Sequence, residues 1–214
     1  MLKKILSSNI IWKITGLTYL TAVIATNGSY ISKSNIRQLG INDNIKLIKY
    51  LDKDKTLLEF GSGIGKNLLG ISDNIKFGYG IDVNKFYCNI AEKLSKKYKI
   101  NNLNFLHYDG KNLPKLNKVE IIYEKGVFKR IPKINVKEYI DNLKSQYLLP
   151  NGLMILYFLR ENAKNTRFTE KLGDKAYIYW HKEEIDNIFN ALDCVVLEIQ
   201  EWDNAFIYIS KSNS

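Results

Sequence analysis

Residues 57–65 read Leu57-Leu58-Glu59-Phe60-Gly61-Ser62-Gly63-Ile64-Gly65: an apolar run, an acid, then glycine at every second position. Glycine lets a chain turn sharply after a strand. It also lets a ligand approach backbone N–H groups with no Cβ in the way. The carboxylate of Glu59 sets the charge preference of such a ligand: it suits a cation and repels a pyrophosphate. A phosphate-cradling P-loop needs Gly-Lys followed by Ser or Thr. Here Gly65-Lys66 is followed by Asn67, and the earlier glycine would fall on Phe60, so that reading fails. A dinucleotide turn places its third glycine where Lys66 stands, which disfavours it.

Two more acids follow apolar runs. Asp82 ends Phe77–Asp82, close to the ~20-residue spacing from the glycine turn at which a carboxylate grips ribose hydroxyls. Its alternative role is to cap the helix that follows. Asp109 precedes Gly110 and serves either a ligand or a turn. His181 heads a helical pattern, where a solvated imidazole is the plainer reading and a catalytic base the sharper one. Tyr177, Tyr179 and Trp180 read as core or lid before they read as a substrate cage, and Tyr19 and Tyr30 are similarly ambiguous.

The elements that must position these residues alternate. Strands are expected at Thr56–Phe60, Phe77–Asp82, Leu103–His107, Val119–Tyr123, Gly152–Phe158, Cys194–Gln200 and Ala205–Ser210. Helices are expected at Ile64–Ile71, Lys85–Lys97, Val136–Leu148 and His181–Leu192, with an earlier one capped by Asn44. This alternation predicts an α/β domain: one doubly wound, mainly parallel, seven-stranded sheet. The last two strands form a hairpin across Trp202-Asp203-Asn204 and make a terminal strand antiparallel. Residues 1–42 stand outside this pattern and are expected to form a helical cover, or lid, over the ligand edge of a domain spanning residues 43–214.

In this order and spacing the motifs resemble those of class I S-adenosylmethionine-dependent methyltransferases, over roughly residues 45–210. Glu59-x-Gly61-x-Gly63-x-Gly65 is similar to their first motif and Gly80-Ile81-Asp82-Val83-Asn84 to their second. Phe105 to Pro114 resembles the third, Val119 to Phe128 the fourth, and Leu148 to Leu156 the turn before the fifth strand. The resemblance implies a Rossmann-like methyltransferase fold and S-adenosylmethionine as cofactor. It implies cofactor contacts from Glu59, Gly61, Ser62, Gly63, Gly65, Asp82, Val83, Asp109, Gly110 and Glu124. Asp109 would then meet the adenine amine. His181, Tyr30 and Glu124 are the candidates for a catalytic role.

The chain also departs from the family. Many small-molecule members carry a histidine pair where Phe128-Lys129-Arg130 stands. Tyr123-Glu124-Lys125-Gly126 replaces the Asn-Pro-Pro-Tyr type of motif, which argues against methylation of exocyclic base amines. A small-molecule acceptor, methylated at oxygen or nitrogen, is therefore expected. The alternatives are a protein or RNA substrate held by the basic surface, or a module that binds cofactor without turnover.

Composition bounds these readings. The 214 residues suit one core, and 45% hydrophobic with 25% charged residues is globular. The net charge of +10 raises nucleic acid as a partner. Yet the arginines are only Arg37, Arg130, Arg160 and Arg167, scattered along the chain, which counts against a dedicated nucleic-acid surface. Cys88 and Cys194 lack zinc-site spacing and read as reduced cytoplasmic thiols; no metal is expected. The apolar stretch Ile14–Ala25 is too short to span a bilayer, so no transmembrane segment is expected.

Overall fold

The computed structural model describes residues 45–161, 177–202 and 205–212. The expected cover at residues 1–42, with Tyr19 and Tyr30, lies outside the described residues, as do Asn44 and the hairpin tip at 203–204. Strands are β1 (Thr56–Phe60), β2 (Phe77–Asp82), β3 (Leu103–His107), β4 (Val119–Glu124), β5 (Leu148–Leu159), β6 (Cys194–Trp202) and β7 (Ala205–Ser212). Helices are α1 (Ile45–Ile48), α2 (Lys66–Ile71), α3 (Lys85–Lys97), α4 (Lys133–Tyr147) and α5 (Lys182–Asn190). The strands make a seven-stranded sheet in the order β3-β2-β1-β4-β5-β7-β6. This is the α/β architecture that the alternation predicts, and β7 is antiparallel to both its neighbours.

Element boundaries move by a few residues from the sequence reading. β5 begins at Leu148 rather than Gly152, and α4 begins at Lys133 rather than Val136. Helix α2 begins two residues late because Gly65 precedes it in the left-handed region, φ 77°. Among the described residues, no helix is long and apolar enough to cross a membrane.

The contacts divide the chain into two compact units. One contains residues 45–54 and Ser62–Pro114; the other contains Lys55–Gly61 and Lys115–Ser214. In the first unit β2 and β3 run parallel, with Asp82 level with His107 at their ends. Leu68, Leu69, Ile71, Ile81 and Ala91 are fully buried there. The side chain of Asn102 donates to the carbonyls of Ser72 and Ile75, at 2.8 and 3.1 Å, and ties β3 to the turn before β2.

In the second unit β4 pairs in parallel with both β1 and β5. Phe158 on β5 is the centre of its aromatic core. Its ring lies 5.4 Å from Phe128, 5.4 Å from Trp180 and 5.8 Å from Tyr208. Trp180 is 2% exposed, so it serves as core and not as a substrate cage. Segment 177–180 is held by Ile178 N–H donating to the Lys129 carbonyl (2.7 Å) and Trp180 N–H donating to the Leu159 carbonyl (2.8 Å).

Candidate cofactor site

The glycine turn leaves β1 with Gly61, Gly63 and Gly65 all at positive φ, where glycine avoids the Cβ strain that other residues meet. The three differ in what surrounds them. A Cβ on Gly61 would lie 2.0 Å from Cγ2 of Val127, and one on Gly65 would lie 2.6 Å from the Phe105 ring. Those two glycines are required by packing. A Cβ on Gly63 would meet nothing within 4 Å. Among the described residues, Gly63 is the glycine of this turn whose backbone has no neighbour over it, which is what a ligand needs.

Asp82 ends β2 in the first unit. Its Oδ2 accepts the N–H of Gly63 at 2.9 Å, and its Oδ1 accepts that of Asn84 at 2.8 Å. Ser62 N–H donates to the Ile81 carbonyl at 3.1 Å, so the turn is stitched to the end of β2 at adjacent residues. Burial pushes the Asp82 carboxyl above its ordinary value, against the lowering effect of these two backbone donors. The helix cap is a different residue: Asn84 Oδ1 accepts the N–H of Phe86 at 3.0 Å and starts α3. Asp82 is thereby relieved of capping.

Two buried polar atoms lie in this turn without a hydrogen-bond partner among the described residues, Ser62 Oγ and Asn84 Nδ2. Ser62 is 6% exposed, and its hydroxyl lies beside Gly80, where a Cβ would come within 2.8 Å of it. Val83, the next residue after Asp82, exposes 46% of its surface at the strand's end, and its Cγ1 is 3.8 Å from where a Gly110 Cβ would stand. An exposed branched side chain over a glycine makes an apolar ledge. Asp109 is exposed and committed to a turn. It accepts from Lys111 N, Asn112 N and Asn112 Nδ2 at 2.7–2.8 Å, and these bonds lower its carboxyl to about 2.

In the second unit Glu59 is 2% exposed at the end of β1. Glu124 ends β4, fully buried. One of its oxygens accepts Val127 N–H and Phe128 N–H, and the other accepts Tyr157 N–H at 3.2 Å. Burial lifts this carboxyl to about 7 despite those donors. Glu124 shapes the loop that brings Val127 against Gly61. That role was not legible in the sequence, because its partners are backbone groups brought in by folding. His181 precedes α5 with a 64% exposed side chain whose Nε2 meets the Glu161 carboxylate, and its backbone N–H donates to Glu184 at 2.9 Å. This is the solvated helix-start arrangement.

A cavity of about 360 Å³ in the second unit contains none of these residues. It lies at the opposite end of the strands, between Lys55, Glu120, Pro150, Asn151 and Lys211. Glu120 is occupied there by the N–H and hydroxyl of Thr56.

The fold recurs in solved structures. A methyltransferase from Clostridium acetobutylicum, described as S-adenosylmethionine-dependent, superposes with a TM-score of 0.66 at 12% identity, covering 94% of this chain and 99% of that one. The fold is the methyltransferase fold. An Aquifex aeolicus SAM-dependent methyltransferase shares it with TM-score 0.63 and 20% identity, over 85% of this chain and 99% of its own. Magnesium protoporphyrin IX methyltransferase from Synechocystis, with SAH bound, shares it with TM-score 0.65 and 15% identity over 82% of each chain. No protein-family model matches the chain, and no curated protein does.

Proposed function

We propose that this chain binds S-adenosylmethionine and transfers its methyl group to oxygen or nitrogen of a small-molecule acceptor. The observation that carries the proposal is the hydrogen bond from Gly63 N–H to Asp82, which pins a strand-end carboxylate beside the glycine of the turn whose Cβ position meets no described atom within 4 Å. Each Asp82 oxygen spends one lone pair on backbone and keeps capacity for the donors of a ribose diol. The buried Ser62 hydroxyl supports this reading, since a buried polar atom without a partner costs stability unless a ligand satisfies it. Val83 and Gly110 would supply the apolar ledge for a flat base.

When bound, the cofactor supplies a methyl group on an already activated sulfonium. The protein's task is then alignment and exclusion of water, and proximity is sufficient for most of the acceleration. Asp109 Oδ2 accepts only Asn112 Nδ2 and so keeps capacity for the amino donor of a base. Glu124 would act by holding the loop at Val127.

Calorimetry with S-adenosylmethionine, its demethylated product and NAD tests the assignment. Both sulfur ligands should bind, with NAD much weaker; tighter NAD binding would overturn it.

A further inference from the structure

The cavity of about 360 Å³ in the second unit is opened by a mismatch between two strands. Val119 of β4 stands level with Leu148 of β5, but Ile121 stands level with Leu153. β4 thus advances two residues where β5 advances five, and the excess chain of β5 bows out at Leu149-Pro150-Asn151-Gly152. The bow is tightly built. Asn151 takes the left-handed region at φ 62°, which asparagine tolerates better than most residues. A Cβ on Gly152 would lie 2.6 Å from Leu148 Cδ1 and 2.9 Å from the Leu149 carbonyl oxygen, so glycine is required there. The hollow is a fixed product of this turn.

Its walls combine apolar surface with an excess of positive charge. Leu149, Pro150 and Leu153 supply the apolar part. The charged residues are Lys55, Lys211 and Glu120: two cations and one acid. Glu120 Oε2 accepts the N–H and the hydroxyl of Thr56 at 2.7 and 2.5 Å, which fixes that carboxylate against the start of β1. Lys211 is the opposite case. The sheet holds its backbone on both sides, level with Leu153 of β5 and Val195 of β6. Its side chain is half-buried and has no hydrogen bond or ion pair among the described residues. A partly desolvated ammonium without a counter-charge is unfavourable, and an anion in the cavity relieves it.

We propose that this cavity binds a small organic monoanion: a carboxylate that meets Lys211, with an apolar body that lies on Leu149 and Leu153. The volume is at the small end of ligand pockets, which run from about 300 Å³ upward. Glu120 sets the charge, because a fixed carboxylate in the wall disfavours a second negative charge on the ligand. Lys55 precedes β1 and Gly61, where the glycine turn begins, follows it; five residues of strand span about 16 Å. The carboxylate is thus a ligand distinct from any methyl acceptor, and its site does not depend on the cofactor reading.

The test follows the backbone amide resonances of the full chain by NMR during titration with benzoate, phenyl phosphate and neutral benzyl alcohol. Benzoate should move the resonances of Asn151, Gly152 and Lys211. It should bind about tenfold or more tightly than benzyl alcohol, as a charge-assisted hydrogen bond allows, and more tightly than phenyl phosphate. Lys211→Met keeps the apolar stem without the charge and should bring benzoate down to the level of benzyl alcohol. Lys211→Arg should retain the preference, and Lys137→Met, which removes an exposed lysine of α4, should not alter it. The three probes on the parent chain decide the matter even where Lys211→Met misfolds. Benzoate shifts confined to other amides, equal binding of benzoate and benzyl alcohol, tighter binding of phenyl phosphate, or a preference that survives Lys211→Met would each overturn the proposal.

Discussion

The N–H of Gly63 donates to Oδ2 of Asp82 at 2.9 Å, joining the glycine turn to the end of β2. Asp82→Ala therefore breaks two things together. It frees two backbone N–H groups, which lowers stability, and removes the carboxylate proposed for the ribose. Affinity for S-adenosylhomocysteine should fall by about 1.5–3 kcal/mol, the range for hydrogen bonds to a charged group. Calorimetry beside a thermal melt checks both. A lowered melting temperature with unchanged affinity would reduce Asp82 to a structural residue.

Gly63 and Gly65 should respond differently to alanine. Both sit at positive φ, which strains a substituted residue by about 1 kcal/mol or more. Gly65→Ala must also displace the Phe105 ring, adding about 1–3 kcal/mol of overpacking. Urea titration should find Gly65→Ala the less stable. Calorimetry should find Gly63→Ala the more damaged in ligand binding relative to its stability loss. Equal stability losses would contradict the packing argument.

Ser62→Ala offers a cleaner separation. Its hydroxyl is buried without a partner among the described residues, so its removal should leave stability unchanged or raised. If a ligand satisfies that hydroxyl, affinity should drop by about 0.5–1.5 kcal/mol. Unchanged affinity would show that the hydroxyl serves neither the fold nor the cofactor.

Glu124 predicts a pH dependence. Its carboxyl titrates at about 7 in the folded chain against an ordinary 4.5. Between those values the native state keeps a proton that the unfolded state has lost, so stability falls as pH rises through this window. The loss levels off above it and amounts to about 3 kcal/mol. Lys129 moderates the effect as the nearby cation, and Tyr157 faces the carboxylate from β5. Glu124→Gln keeps acceptors for Val127 and Phe128 but turns an amide donor toward Tyr157 N–H. It should be less stable than the parent at pH 5, with the gap closing or reversing by pH 8. Urea titrations at both pH values decide it, and a constant gap would refute the buried ionisation.

Much of this architecture was legible along the chain. Apolar runs such as Thr56–Phe60 and Phe77–Asp82 appear as the strands their length and β-branched or aromatic content predict, because strand periodicity is a local property. The spacing from Gly61 to Asp82 pointed to a ribose carboxylate or a helix cap; that Asp82 accepts the N–H of Gly63 was not read from it. Asn84 shows the limit at short range. Both it and Asp82 have cap-forming side chains, and only the turn that spends Asp82 on Gly63 leaves capping to Asn84.

The order of strands and helices along the chain, and a glycine turn after β1, were thus determined by local pattern alone. Tertiary structure decided which glycines of the turn pack on Val127 or Phe105 and which has no described neighbour. It decided that Glu124 would be enclosed by N–H groups from its own loop and from β5, and that Lys129 and Arg130 would share Tyr177. Each of these is a contact between residues that sequence separates or that a loop must fold back to join. Their energies depend on distance and burial, which composition and periodicity do not encode.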